Sequence, residues 1–450
     1  MSAQAEMTAE DRSEKFVRDL LEGTDNLEGP TGRHRLRSDA LDRLEDLRVP
    51  AAKDEEWRFV RLRPMLDVEI GPTPSAEAEG RVDAVRELVE SKTVAEADGR
   101  RLVFVNGEYS ETFSSLDGFG DDVHAGRIAA PDEADLEAID GHLGSASELF
   151  EEDYFSQINE AGFRDGGYVI VPPDTAVDGP VQLLNVVTDA DEPFAVQPRA
   201  LIVAGRGSKV SVVEDFVGAA GSTYVNNCMT EVRVEASATV DHVVVQADSE
   251  SAYHMNRRAI DMADGSTYNS RTISYGATFS RFDVRSRGDG EDIDCTLDGL
   301  AVLKDDQVSD THSVMDHRQG HSGSHQLHKM IIDDESHAVF NGKIFVRQHA
   351  QKIDAYQLNR TLPLSRTAKV NTKPQLEIFA DDVSCTHGAT IGQLEPEQLF
   401  YLRARGLTEE EARELLIFGF AAEIIDTVPV ESVRDRIADA VKNRTRDLGT

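Results

Sequence analysis

Hydrophobic positions along the chain change their period near residue 167. Before it, apolar residues recur at helical spacing. Phe16, Leu20 and Leu21 predict a helix over 8–23, and Leu41, Leu44 and Leu47 a second over 38–48. "VPAAKDEEWRFVRL" follows, with the only tryptophan, Trp57, and then an Ala- and Glu-rich stretch over 70–100. "RLVFVNGEYS" reads as a strand and turn, and "PDEADLEAIDGHL" and "SASELFEEDYFSQINEAGF" as helices. Residues 1–165 are therefore expected to be mixed and mainly α.

From 167 the pattern is short apolar runs split by turn residues. "GGYVIVPP", "VQLLNVVT", "RALIVAG", "KVSVVEDFVG" and "EVRVEASATVDHVVVQA" come first. "STYNSRTISYG", "DIDCTLDGLAVL", "HAVFNGKIFV" and "QLEIFADDV" continue the pattern. No long amphipathic helix separates them, which excludes a βαβ sheet and leaves a sandwich, a barrel or a β-helix. "ASATVDHVVV", "DGSTYNSRTI" and "DESHAVFNGKI" share one local shape, a small or polar pair followed by alternating apolar positions. Stacked rungs would produce it, which tilts the choice toward a solenoid.

The last 55 or so residues return to helical period. Pro396 opens a helix carrying Leu399, Tyr401 and Leu402, and Gly406 closes it. Thr408 and Glu411 make a capping box ahead of Ala412, Leu415, Leu416, Gly419 and Ala422. A third helix carries Val433, Ile437, Ala440 and Val441. Such a unit suits capping the solenoid or docking a partner.

Charge narrows the function classes. The formal net charge is −36, which argues against nucleic acid as a partner and fits a salt-rich cytoplasm. No apolar run is long enough to cross a membrane. The opening "MSAQAEMTAEDRSEKF" lacks the basic-then-apolar layout of a secretory leader. Three scattered cysteines, Cys228, Cys295 and Cys385, make no disulfide framework and suit a reducing cytosol.

Most chemical motifs are missing. There is no P-loop, so no bound ATP is expected, and neither a GxSxG elbow nor a dinucleotide fingerprint occurs. "RGDGED" at 287–292 is a turn rather than a calcium loop. Histidines crowd one window: His312, His317, His321, His325, His328, His337 and His349. Without an HxxxH helical frame they are expected to spread over turns and strand faces rather than to share a metal.

"DDVSCTHGATIGQL" at 381–394 is the stretch that carries chemistry. On a strand, Cys385 and His387 face the same side, so a thiol and an imidazole stand together. A neighbouring imidazolium favours thiolate, and both groups are ligands for iron and iron–sulfur clusters. One chain offers no full ligand set, so a complete site needs donors from a second chain. The plainer alternative is an inert cysteine beside a surface histidine.

"KIDAYQLNRTLPLSRTAKVNTKPQLEIFADDVSCTHGATIGQLEPEQLFYLRARGL", residues 352–407, resembles the SufB/SufD family of iron–sulfur cluster assembly proteins, and within it the SufD branch. "FNGKIFV" and "KDEEWRF" fit the same family. His387 is followed by Gly388 where SufB-type sequences carry glutamate, which favours the SufD branch; a SufB-like role is the alternative. The resemblance implies a right-handed parallel β-helix over 166–394, an N-terminal region over 1–165 and a C-terminal helical domain over 395–450. It implies a non-catalytic, cytoplasmic scaffold that pairs with SufB through the β-helix end, or with itself when alone. The C-terminal domain would dock the SufC ATPase, with Leu399, Leu402, Leu415 and Leu416 as the candidate contacts. His387, with Cys385 beside it, would contribute to a nascent iron–sulfur cluster held transiently between partners. A β-helix enzyme acting on acidic polysaccharide is the remaining alternative, and the charge and the polar start argue against it. A plain interaction module, with Cys385 and His387 merely structural, is another.

Overall fold

The computed structural model describes residues 9–22, 24, 30–75, 81–120 and 122–446. Helices α1 (Ala9–Leu21), α2 (Thr31–Asp46), α3 (Arg63–Leu66) and α4 (Val82–Lys92) come first, then β1 (Arg101–Val105), β2 (Glu108–Tyr109) and β3 (His124–Arg127). Helices α5 (Leu136–His142) and α6 (Tyr154–Gly162) precede β4 (Gly167–Val171), β5 (Ala176–Val187), β6 (Phe194–Val196), β7 (Arg199–Ala204) and β8 (Lys209–Gly218). Strands β9 (Tyr224–Val234), β10 (Thr239–Ala247), β11 (Tyr253–Met262), β12 (Thr267–Ser274), β13 (Phe279–Gly288) and β14 (Asp294–Leu303) follow. The series ends with β15 (Val308–His317), β16 (Gly323–Ile332), β17 (His337–Val346), β18 (Asp354–Pro363), β19 (Lys369–Ile378) and β20 (Ser384–Ile391). Helices α7 (Pro396–Ala404), α8 (Glu409–Ile425) and α9 (Glu431–Thr445) close the described chain. The helix expected over 8–23 is α1; positions 8 and 23, like the opening of the leader reading, lie outside the described residues.

From β8 onward the chain alternates between two sheets. Even-numbered strands to β20 build one, odd-numbered strands to β19 the other. Pairing is parallel throughout these runs. Thr239, Thr267, Asp294, Gly323, Asp354 and Ser384 stand one above the next, so a coil takes up roughly 30 residues. This is a two-sheet parallel β-solenoid, and it removes the sandwich and the barrel. Among the described residues antiparallel strand partners occur only at its start, β2 on β1 and β3 on β4. Strands β1 and β3 thus bring part of the first 165 residues into the sheets.

The turn motif has a backbone cause. One corner of successive coils is turned by Asp174, Gly207, Ser237, Gly265, Asp292, His321 and Lys352, all left-handed with φ between 56° and 69°. A side chain there carries a steric cost that Gly avoids and Asp tolerates. The corner repays it with a ladder: the amides of Asp174, Gly207, Ser237, Gly265, His321 and Lys352 each donate to a carbonyl of the following coil.

The interior is apolar at one side, with Val210, Val240, Tyr268 and Cys295 in a column. Farther along it is polar. Buried Arg258 donates to the Ser270 and Thr272 hydroxyls, and Glu214 lies 3.3 Å from His242. These groups are tolerated because they pair with one another. Cys228 and Cys295 are both fully enclosed.

Each sheet is covered from outside. Phe16, Trp57, Phe155 and Ile158 pack on Val225, Met255, Phe279 and Val339 of the odd-numbered sheet. Ile417, Ala421, Ile424, Ile437 and Val441 of α8 and α9 pack on Val243, Val245, Ile273, Leu300 and Ile331 of the other. Thr408 and Glu411 do form the capping box of α8. Two apolar faces are rotated from the sequence expectation. In α2 the buried positions are Leu36 and Ala40 while Leu41 is exposed. In α8 they are Ala412, Ile417, Ala421, Ile424 and Ile425 while Leu415 is exposed, because the sheet and α9 claim the face that carries the isoleucines. Among the described residues no helix is long and apolar enough to cross a membrane.

Candidate functional site

Strands β19 and β20 are each the last strand of their sheet, so the solenoid ends in two open edges. Neither strand contains a fully buried residue, unlike the strands beneath them. Open edges expose unpaired N–H and C=O groups that can template another strand. The local charge permits this. Ser384–Ile391 has no acidic residue and Lys369–Ile378 has only Glu377, in a chain of net charge −36.

Cys385 and His387 sit on β20, in register with Ala355 and Gln357 of β18. Both face the interior column, as the two-residue spacing predicts. Their surroundings differ. Cys385 is half-buried against Ile344, Val346, Ile353, Ala355 and Leu376. His387 is exposed at the open end. Burial pushes the Cys385 thiol above its ordinary value; the Ala355 backbone opposes this and Asp354 adds to it. Its setting therefore favours thiol over thiolate, opposite to the effect expected of a neighbouring imidazolium, because enclosure and a carboxylate dominate.

The histidine-rich window disperses. His312 reaches Glu56 and Asp310 on the outside of the odd-numbered sheet. His317 meets the Ser324 hydroxyl at 2.9 Å, and burial pulls it down to about 4. Burial pulls His328 down to about 3, and its ring stacks 4.6 Å from Phe340. His337 contacts Asn371, and His321 turns a corner.

Two sequence motifs far apart in the chain meet in space. The single 3₁₀ turn Glu55–Trp57 of "KDEEWRF" lies on the strand of "FNGKIFV". Glu56 accepts from Asn341 at 2.9 Å, pairs with Lys343, and lies 3.1 Å from His312 Nδ1. Arg281 donates to the Glu56 carbonyl, and its guanidinium lies 3.8 Å from the Trp57 ring centroid. Glu55 pairs with Lys373 on β19. The clip thus ties the N-terminal region to the last odd-numbered strand, a role the sequence alone did not suggest.

The helical end offers a second surface. Helix α7 has no buried residue. Leu399, Leu402 and Leu416 are half-buried and Leu415 is 50% exposed. Phe400 at 75% and Tyr401 at 56% are more exposed than any of these four leucines. The leucine spacing drew attention to one face of α7, whereas the aromatic pair between them is presented outward. Leu415 and Leu416 also line a groove of about 430 Å³ with Lys329, Arg360, Leu394 and Glu423, beside the end of β20.

Comparison with known proteins bears on what this arrangement serves. Residues 186–420 match the family described as SUF system FeS cluster assembly, SufBD core domain, and residues 31–183 match the SufBD protein N-terminal region. The chain belongs to the SufBD family. An iron–sulfur cluster assembly SufBD family protein of Synechocystis is 35% identical over 418 residues, covering 91% of this chain and 90% of that protein. The iron–sulfur cluster assembly protein SufD of Escherichia coli is 27% identical, covering 88% and 89%. SufD of Bacillus subtilis is 26% identical, covering 91% and 93%. The SufBD protein described here is accordingly a SufD-like iron–sulfur cluster assembly protein, and its family is an assembly subunit rather than a conventional enzyme.

Proposed function

We propose that this SufD-like chain is the scaffold subunit that pairs with SufB and with the SufC ATPase to build and release a nascent iron–sulfur cluster in the cytoplasm. The observation that carries the reading is the open end of the solenoid, where two unpaired edge strands present an exposed imidazole. A SufB solenoid end laid against β19 and β20 would pair both edges. His387 then supplies one ligand to the cluster, which is the complex's cargo, and the partner supplies the rest. A ligand sphere divided between two chains holds its cargo weakly enough to hand it on. Cys385, half-buried and held as thiol, is a reserve donor that becomes competent when a metal displaces its proton. Residues 395–450 form the SufC-docking unit, with Phe400, Tyr401 and Leu415 its most exposed contacts alongside Leu399, Leu402 and Leu416. ATP binding belongs to SufC.

The test is anaerobic co-expression with SufB and SufC, with iron and sulfide measured on the purified complex. Wild type is expected to yield a loaded complex and His387→Ala an intact but poorly loaded one. Equal loading of His387→Ala refutes the ligand role. Phe400→Asp is expected to release SufC while leaving SufB bound. In the absence of SufB, the same edges favour a second copy of this chain, and a monomer at all concentrations would argue against edge pairing.

A further inference from the structure

Beneath His387 the interior holds an acceptor with nothing to accept from. Gln357, its register partner on β18, is 0% exposed. Its Nε2 donates to Gln326 Oε1 at 3.2 Å, and the Ser313 hydroxyl donates to that same oxygen at 2.7 Å. In this arrangement Gln357 turns its Nε2 toward Gln326, whose own Nε2 is likewise unpartnered. With Nε2 engaged, Oε1 is the free end, and it has no partner. A buried acceptor left unpaired is costly, because it has given up water without gaining a donor. Gly342 of "FNGKIFV" makes the room, since a Cβ there would collide with Gln357 Nε2. Adjacent strands stand about 4.8 Å apart, and side chains in register on one face lie over one another. The imidazole of His387 is therefore the β20 side chain that stands over this amide.

Resting on the reading of His387 as a ligand at this end, we propose that Gln357 is its positioning residue. On a turn of the exposed His387 side chain, Gln357 Oε1 accepts the N–H of its inward ring nitrogen. That hydrogen bond holds the imidazole in a single tautomer and leaves the lone pair of the other nitrogen directed out of the open end. Ligating imidazoles need this second contact: it sets tautomer and ring orientation, and its loss costs about 10–100-fold in affinity or activity. No covalent step is involved.

The experiment reads the tautomer directly in the full chain without partners or cargo. Ring ¹⁵N shifts of ¹⁵N-histidine-labelled protein are recorded in alkaline buffer, where imidazoles are neutral, and His387→Ala assigns the signal. Wild type is expected to show one dominant His387 tautomer. Gln357→Met keeps the length and removes the acceptor, so it should give a mixture of tautomers and a roughly 10-fold slower cluster assembly with the partners. Gln357→Glu, which restores an acceptor, should recover both. If Gln357→Met fails to fold, Gly342→Ala displaces the same amide and is expected to act alike. An unchanged His387 tautomer in these variants overturns the proposal. So does a shift produced instead by Thr372→Val, because Thr372 Oγ1, like Gln375 Oε1, is an enclosed, unpartnered polar atom of β19. The two readings fail separately. His387→Ala assembling at the wild-type rate sinks the ligand role, whereas inactive His387→Ala beside unaffected Gln357→Met sinks only the positioning.

Discussion

Replacing Glu56 with glutamine probes how the N-terminal region is held to the solenoid. Burial pushes the Glu56 carboxyl up, but hydrogen bonds from His312 and Lys343 outweigh that and hold it down to about 2. A depression from 4.5 to about 2 corresponds to roughly 3.5 kcal/mol at about 1.4 kcal/mol per pKa unit. The side chain remains 35% exposed, so solvent screening brings the expected loss to about 1.5 kcal/mol. The pH dependence has a definite sign. A depressed carboxyl stabilises the fold above its unfolded value near 4.5 and loses that contribution as pH falls through about 2. His312 sets a bound on the alkaline side. Burial and Arg281 pull it down, yet Asp310 and Glu56 outweigh them and raise it above 6.5. Its contribution is complete below about 6.5 and disappears as pH rises through the raised value. The assay is chemical denaturation of wild type and Glu56→Gln at fixed high salt over a series of pH values. Limited proteolysis of the 50–66 segment runs in parallel. The difference in stability should be near 1.5 kcal/mol around neutrality and shrink toward pH about 2. A difference that is absent at neutrality, or that persists unchanged in acid, refutes the argument.

Other outcomes follow from the same physics. Ile424→Ala empties a fully enclosed position between α8 and the sheet; it should cost about 2–5 kcal/mol in denaturant unfolding and make the C-terminal helices susceptible to protease. A disulfide reagent added to native protein near neutral pH should modify Cys385 alone, and slowly, because Cys228 and Cys295 are enclosed and burial raises all three thiols; rapid modification of a second thiol in the folded state would contradict the interior assignment. Self-repulsion at a net charge of −36 should make the melting temperature climb between about 0.1 M and about 1 M KCl, and a flat response would remove the salt-adaptation reading.

The solenoid was legible because its corners announce themselves. "ASATV", "DGSTY" and "DESHA" each contain or adjoin a left-handed residue at a turn, namely Ser237, Gly265 and Asp334. The sandwich stayed open in the sequence because the interior is not a clean apolar stripe. His242, Arg258 and Gln326 point inward as readily as Val240, so alternation along β10, β11 and β16 looks weaker than the packing is. Helix faces were read from periodicity alone, which finds that a helix has an apolar side but not which neighbour claims it. Leu415 falls on the face that the spacing picks out and Ile417 does not, and the position of the sheet reverses them. Cys385 and His387 were found from their two-residue spacing. Gln357 and the Glu56 clip were not, since each depends on a contact between segments distant in sequence. No local pattern encodes which glutamine will lie beneath which histidine.

The corner ladder also governs how such a body could change length. Six of the seven left-handed corners hand the next coil the same hydrogen-bonded step, so a spare storey of about 30 residues could be slipped in or taken out with that bonding pattern kept. A partial insertion has no such freedom. It would throw each later step out of phase and swing the terminal histidine away from the doorway it now faces.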